Sequence, residues 1–113
     1  MPQSAVADDV FLALSNATRR KVLEQLSLGP ATVTELAAPF DMKLPSFVQH
    51  LSVLERSRLV KSKKQGRVRT YEIAPERFKL AEDWLTKRRQ EWESRFDRFD
   101  EYVKHLTQQE SKS

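Results

Sequence analysis

Apolar residues in the middle of the chain recur at spacings of three and four positions, which is the spacing of one face of an α-helix. They are Leu44, Phe47, Val48, Leu51 and Leu54. The positions between them are polar, and Pro45 suits a first helical turn because its missing N–H would have no helical partner there. The pattern predicts an amphipathic helix over residues 43–58 that buries its apolar face and exposes a short polar one.

Two helices are predicted near the start of the chain. Residues 8–14 form the first, with Asp8 and Asp9 in its first turn, and residues 1–7 are expected to be disordered or loosely attached. Residues 17–26 form the second, in which three apolar positions follow helical spacing. Ser15 or Asn16 can cap the second helix, and Gly29-Pro30 ends it.

A third helix is predicted directly before the central one. Thr32 and Glu35 have the spacing of a capping box, and Pro39 limits the helix to about two turns. Its apolar residues Leu36 and Phe40 are expected to point inward. A short helix, a short turn and a longer helix with a polar face together predict a helix-turn-helix unit, in which residues 43–58 are the recognition helix.

The residues after the recognition helix change to the pattern of strands. The runs 59–64 and 67–73 are rich in β-forming residues and are separated by Gln65-Gly66, where glycine supplies the positive φ of a tight turn. This pattern predicts a two-stranded hairpin, which we call the wing. Its basic side chains would flank the tip, where they can reach phosphates or the minor groove of DNA.

A long helix is predicted from Pro75 to about Gln108, with a break near Lys79. Large apolar residues recur along it every seven positions or at intervening four-residue steps. A single helix with this much apolar surface must bury it, and aromatic residues are enriched in interfaces. We therefore expect a homodimer, although packing within one chain is the alternative. The expected interface residues on this helix are Leu85, Trp92, Phe96, Phe99 and Val103.

Charge is concentrated on the recognition helix and the wing. Residues 43–73 carry a net charge of +6, residues 1–42 carry −2, residues 74–110 carry −1 and Lys112 adds +1, which together give the chain's net charge of +4. Such a concentration favours a polyanionic partner. The chain has no cysteine, its two glycines cannot form a phosphate loop, and it has two histidines, so no enzyme site and no thiolate metal site is predicted. No cofactor is expected. The absence of a signal-peptide pattern and of a long apolar run predicts a cytoplasmic protein.

The sequence resembles the ArsR-type winged-helix transcriptional repressors over residues 8–106. Four segments carry the resemblance, in this order: ATRRxxLxxL, TVxELA, LPxxxxHLxVLExxxLV and GRxRxYxI. The resemblance implies a mainly α winged helix-turn-helix fold with a small β-wing. The length of 113 residues predicts one domain over residues 1–113, with a winged-helix core over 8–75 and a dimerisation helix over 76–108. The resemblance also implies a homodimer that binds an inverted repeat in a promoter, with the first and last helices in the interface. Phe11 is the expected interface residue on the first helix.

The chain departs from the family at three places. Metal-sensing members often carry Cys-x-Cys at the start of the third helix, where this chain has residues 32–36 without a thiolate. Lys43 and Val48 stand where many relatives have serine, and a lysine side chain cannot cap a helix through an acceptor oxygen. On the last predicted helix, Glu101 and His105 are four residues apart, but two metal ligands are too few for a zinc site, which needs three or four.

The candidate DNA-contacting residues follow from these patterns. Those on the recognition helix are Lys43, Ser46, Gln49 and His50, and those on the wing are Lys63, Lys64, Arg67 and Arg69. Gln49 is the main candidate for base readout because an amide can bond adenine bidentately. For His50 the alternative is a structural hydrogen bond to the backbone of the second or third helix.

The predicted function is sequence-specific binding of double-stranded DNA by a homodimeric transcriptional repressor. Two alternatives remain at this stage. The first is a regulator controlled by a small-molecule or metal effector, and the second is a winged-helix module that binds protein or RNA.

Overall fold

The computed structural model describes residues 3–112, which form five helices and one three-stranded antiparallel sheet. The elements are α1 (Gln3–Leu14), α2 (Ala17–Leu26), β1 (Ala31–Thr32), α3 (Val33–Ala37), α4 (Leu44–Arg56), β2 (Val60–Gln65), β3 (Val68–Ile73) and α5 (Pro75–Lys112). The order of helix, helix, short helix, longer helix and hairpin confirms the predicted winged helix-turn-helix. The chain clusters into two compact units, of which the first extends to Ala81 and the second begins at Glu82.

The hydrophobic core of the first unit lies where α1, α2, α3 and α4 meet the sheet. Phe47, Leu51 and Leu54 of α4 are fully buried there, and so is Leu36 of α3. Phe40 packs against Phe47, with 5.3 Å between the two ring centroids. These contacts hold the apolar face of α4 against its supporting helices, so the opposite face is presented to solvent.

Side chains fix the starts of α2 and α3 where the sequence predicts. Asn16 Oδ1 accepts hydrogen bonds from the backbone N–H groups of Thr18 and Arg19, at 2.9 and 3.2 Å. The capping box of α3 is complete, because Thr32 Oγ1 accepts from Glu35 N–H and the Glu35 carboxylate accepts from Thr32 N–H. These hydrogen bonds lower the pKa of Glu35.

The first helix is longer than predicted. It begins at Gln3 rather than at Asp8, so the expectation of a loose segment is wrong for residues 3–7, while Met1 and Pro2 lie outside the described residues. Val6 and Ala7 are buried, and their burial extends the helix toward the N-terminus. Asp8 and Asp9 consequently lie inside the helix and not in its first turn.

The sheet has one strand and one turn that the sequence pattern does not reveal. β1 has only two residues and pairs with the far edge of β3, giving the order β1-β3-β2. Gln65 pairs with Val68, so the turn residues are Gly66 and Arg67 and not Gln65 and Gly66. Gly66 has φ 62°, the left-handed conformation that a two-residue hairpin turn requires.

The apolar face of α4 is narrower than the sequence predicts. Leu44 is 55% exposed and Val48 is 38% exposed, so neither belongs to the core. Around the helix, both lie to the same side of the buried Phe47, at the edge of the apolar face. Val48 therefore does not enlarge the core face, as its hydrophobicity suggested, but adds an apolar position to the exposed surface.

The end of α4 positions the wing through two backbone hydrogen bonds. Leu59 N–H donates to the Leu54 carbonyl at 3.1 Å, and Arg58 N–H donates to the Glu55 carbonyl at 3.0 Å. Together they form a Schellman motif, in which the residue after the cap adopts a left-handed conformation. Arg58 has φ 62° in that position, where glycine is usual. Leu54 and Leu59 are both fully buried and supply the hydrophobic contact of the motif.

Helix α5 is continuous from Pro75 to Lys112, so the predicted break near Lys79 is absent. In the second unit its large apolar side chains are exposed. They are Trp84, Leu85, Trp92, Phe96, Phe99, Tyr102, Val103 and Leu106. No helix within the described residues combines the length and apolarity needed to cross a membrane.

Candidate nucleic-acid interface

Three of the four residues predicted to contact DNA in this region lie on α4, and the fourth, Lys43, is its N-cap residue. Lys43, Ser46 and Gln49 are exposed, and His50 is half-buried. No side chain caps the helix at Lys43, and Pro45 occupies the first turn. The start of α4 therefore has no cap of the kind that Asn16 gives α2, and a helix N-terminus of this kind favours a negatively charged group nearby.

His50 has a partner on α2 that links the recognition helix to the rest of the core. The guanidinium of Arg19 lies beside the ring, with 3.2 Å between Arg19 Nη1 and His50 Nδ1. The sequence left open a hydrogen bond from His50 to the backbone of the second or third helix. The partner does lie on the second helix, but it is the side chain of Arg19 and not the backbone.

The contact with Arg19 determines the protonation state of His50. A guanidinium has donors and no acceptor, so His50 Nδ1 must accept and the proton of the neutral ring resides on Nε2. Burial, and then the positive charge of Arg19, lower the pKa of His50 from its ordinary value of 6.5. The ring is therefore neutral at pH 7.

The four basic residues of the wing do not lie on one face. Ser62 is directly opposite Tyr71, and Lys64 is opposite Arg69, so these side chains share the face that carries the buried Tyr71. Lys63 is opposite Thr70 on the other face. Arg67 is in the turn, and all four basic side chains are exposed. The wing therefore presents positive charge on both faces and at its tip.

One of the four has an intramolecular partner. Arg69 Nη1 donates to Ser62 Oγ at 2.7 Å, and Ser62 Oγ lies 2.9 Å from both carboxylate oxygens of Glu55 on α4. The chain of contacts from Arg69 through Ser62 to Glu55 connects the wing to the recognition helix. Burial, and then the negative charge of Glu55, raise the pKa of the neighbouring Tyr71.

Sequence reasoning missed Arg19, Glu55 and Ser62. Glu55 carried a recognisable signal, because it is one of only two acidic residues in the basic segment 43–73. Arg19 carried none, since it is 31 positions away from His50 and looked like an ordinary helix-surface cation.

The predicted interface residues of α5 lie on one exposed stripe of the second unit. Leu85, Trp92, Phe96 and Phe99 are each more than half exposed. Trp92 and Phe96 contact each other, with ring centroids 6.0 Å apart, and the Arg95 guanidinium covers the Trp92 ring at 5.4 Å. Phe11 differs from them because it is partly buried against the core of the first unit.

His105, considered above as half of a metal pair, has another neighbour. Gln109 Nε2 lies 3.0 Å from His105 Nε2, so the amide donates to the ring. Among the described residues no group of three or more His, Asp or Glu side chains converges as a metal site would require.

Comparison with known proteins gives one family match and several relatives. The model of a helix-turn-helix domain matches residues 14–63, which extend from the end of α1 into β2. The HTH-type transcriptional regulator Rv2034 of Mycobacterium tuberculosis is 40% identical over 68 residues, which cover 60% of this chain and 64% of Rv2034. The chain thus spans slightly less than two thirds of that regulator. The transcriptional repressor SdpR of Bacillus subtilis is 28% identical over 69% of this chain and 87% of SdpR.

Solved structures show the same architecture. The crystal structure of the ArsR family transcriptional regulator RHA00566 is 50% identical in sequence to this chain and superimposes with a TM-score of 0.77. The match covers 80% of this chain and 94% of that one. Because it covers almost the whole of that regulator, the likeness extends well beyond the helix-turn-helix segment.

Proposed function

The chain belongs to the ArsR family of DNA-binding transcriptional regulators, and from this premise we propose that it is a homodimeric repressor that binds an inverted-repeat operator. This is a family of regulators and not of enzymes. The observation that carries the proposal is the division of α4 into two faces. Phe47 and Leu51 are fully buried on one face, and Gln49 is exposed on the other.

The proposed base contacts lie in the N-terminal half of α4. A helix of this size fits the major groove, where a glutamine amide can bond adenine N6 and N7 together. Gln49 is exposed and suits this role, and Ser46 precedes it by three positions, on the same side of the helix. Lys43 and the uncapped start of the helix would bind a phosphate of the flanking backbone.

The wing supplies the proposed contacts to the neighbouring backbone. Lys63, Lys64 and Arg67 are exposed, and none of them is among the residues tied to α4 through Ser62. These cations would bind phosphates or enter the minor groove, and each such contact adds affinity without sequence preference. Arg69 would contribute less, because Nη1 of its guanidinium already donates to Ser62.

The proposed dimer buries the exposed stripe of α5. Phe11 of α1, which is partly buried against the core of the first unit, is a separate proposed interface residue. Trp92, Phe96 and Phe99 are 55%, 61% and 63% exposed, and a stripe of aromatic side chains in water favours association. A twofold pair of recognition helices would read two half-sites of opposite orientation, and this is the basis for proposing an inverted repeat.

The structure bears in opposite ways on two alternatives, an RNA partner and a small-molecule effector. RNA-binding modules expose aromatic rings on which bases stack, but Phe47 and Tyr71, the aromatic residues of α4 and β3, are buried. A small-molecule effector is the second candidate for control, because an open groove of about 630 Å³ lies in the first unit. Its apolar lining includes Leu14, Leu23 and Phe78.

We place the protein in the cytoplasm, where a repressor has access to DNA.

Selection from a random duplex library tests the proposal. The wild-type protein should enrich a motif made of two inverted half-sites about one helical turn apart, as a dimeric helix-turn-helix protein does. Phe99→Glu should sediment as a monomer and lose affinity for the two-site duplex. Enrichment of no motif would contradict DNA readout, and a tight Phe99→Glu dimer would remove the α5 stripe from the interface.

A further inference from the structure

We propose that Arg19 is a positioning residue for DNA readout, which holds His50 as a hydrogen-bond donor through Nε2 alone. The inference rests on the proposed function of α4 and adds a residue outside the recognition helix to its specificity. His50 would then bind an acceptor atom on DNA, and it would disfavour a base that presents an amino group at the same place.

Three separate contacts fix the guanidinium of Arg19. Its Nε donates to the Ala13 carbonyl at 2.7 Å, and its Nη2 donates to the Leu12 carbonyl at 3.0 Å. The third nitrogen, Nη1, faces His50 Nδ1 at 3.2 Å. Because the two carbonyls at the end of α1 hold the planar group in place, Nη1 has little freedom to turn away from His50.

The backbone of Arg19 is held as well. The Asn16 side chain, which caps α2, accepts a hydrogen bond from Arg19 N–H at 3.2 Å. Arg19 thus joins the end of α1, the start of α2 and the recognition helix α4. A lysine could not replace it, since an ammonium on a flexible stem cannot match three acceptors in a fixed plane.

The orientation of donor and acceptor determines what His50 can recognise. With Nδ1 occupied as an acceptor, Nε2–H is the remaining polar group of the ring, and it can only donate. Acceptors available in the major groove are guanine O6 and N7, adenine N7 and thymine O4. The amino groups of adenine and cytosine are donors and would oppose Nε2–H. A phosphate oxygen is the alternative acceptor, and it would give affinity without base preference.

Nitrogen-15 NMR of the full chain tests the tautomer without DNA. Long-range ¹H–¹⁵N spectra of the wild-type protein near neutral pH should show His50 protonated at Nε2 and bare at Nδ1. In Arg19→Gln the ring should become a mixture of tautomers. Arg20→Gln is the matched control, because Arg20 also donates to a carbonyl of α1, that of Leu14 at 2.8 Å, but does not contact His50. A wild-type His50 protonated at Nδ1 would overturn the proposal.

Binding measurements test the consequence for readout. The probes are the duplex enriched by the wild-type protein and a shuffled duplex of the same length. Arg19→Gln and Arg19→Lys should each lower the ratio of the two affinities by about five- to tenfold, the range of one hydrogen bond. Arg20→Gln should leave the ratio within about twofold of wild type, since distant surface changes have small effects. Thermal melting of each variant verifies that it is folded.

A double-mutant cycle distinguishes a positioning role from a general one. If Arg19 acts through His50, Arg19→Gln should have no further effect on the affinity ratio in a His50→Ala background. Additive losses would overturn the proposal, and so would equal losses in Arg19→Gln and Arg20→Gln. If Arg19→Gln lowers the affinity for both duplexes equally, His50 binds phosphate and does not read a base. That result would overturn the role of Arg19 in specificity. Failure of the wild-type protein to enrich any duplex would overturn the proposed function itself.

Discussion

Ser62 of the wing lies 2.9 Å from both carboxylate oxygens of Glu55 on the recognition helix. The same hydroxyl accepts a hydrogen bond from Arg69 on the neighbouring strand. The hydrogen bond from Leu59 N–H to the Leu54 carbonyl already connects the start of the wing to the end of α4. The contact between Ser62 and Glu55 adds a second connection. The wing is therefore held at two points relative to the helix proposed to read DNA.

Arg67 and Arg69 should consequently behave differently, although they are two positions apart on the same hairpin. Arg69→Gln should lower the free energy of unfolding by about 0.5 to 1 kcal/mol, because it removes a charge-assisted hydrogen bond at an exposed site. Arg67→Gln should leave stability within about 0.5 kcal/mol of wild type and weaken DNA binding uniformly, reducing the salt slope by about one. Urea denaturation and salt-dependent titrations measure the two effects. Equal stability losses in both variants would contradict the role of Ser62.

The left-handed conformation of Arg58 gives a second prediction. A residue with a Cβ atom is strained by about 1 kcal/mol at φ 62°, whereas glycine is not. Arg58→Gly should therefore raise the midpoint of urea unfolding, with a gain of up to about 1 kcal/mol in the free energy of unfolding. Arg58→Ala removes the same charge and keeps the strain, so it should show no such gain. Equal stabilisation by both variants would assign the effect to charge.

Stability should also depend on pH through His50. Its folded pKa is lowered, so the unfolded chain binds the proton more readily, and stability rises with pH in the interval between the two values. The contribution is fully present above the ordinary pKa of 6.5 and is lost as the pH falls below it toward the folded value. Protonation would also add an N–H facing the guanidinium of Arg19.

Thermal melting between about pH 7.5 and 5 measures this effect, because the interval brackets the titration of an ordinary histidine. His50→Gln should flatten the dependence. His105→Gln should retain it, since the neighbour of His105 on α5 is the Gln109 amide and not a guanidinium. A wild-type melting temperature that does not fall in this range would show that His50 is not held neutral by the fold.

The sequence was a good guide to elements whose determinants are local. The Thr32–Glu35 capping box lies within a few residues of the N–H groups it binds, so spacing alone identified the start of α3. At α2 the sequence left Ser15 and Asn16 as alternatives, of which Asn16 is the cap. The recognition helix was identified from spacing as well, since the period of its buried residues is visible in the sequence.

Features that depend on distant residues could not be predicted in this way. Val6 and Ala7 extend α1 because tertiary packing buries them, and two-residue β1 forms because β3 offers a free edge. Leu44 and Val48 fit the apolar period of α4 but lie at the edge of its apolar face, where they stay exposed. Within the candidate site, the exposed positions of α4 followed from periodicity, whereas the Arg19–His50 contact required the fold itself.

Whether α4 reads bases is decided by the ratio of affinities for the enriched duplex and the shuffled duplex, measured for the wild-type protein and for Gln49→Ala. Bidentate recognition of a base by an amide is worth about 1 to 3 kcal/mol of discrimination, so the ratio should fall by roughly five- to 150-fold. Affinity for the shuffled duplex should remain nearly unchanged, because the wing and Lys43 still contact phosphates. A ratio in Gln49→Ala equal to that of the wild-type protein would contradict the assignment of α4 as the reading element.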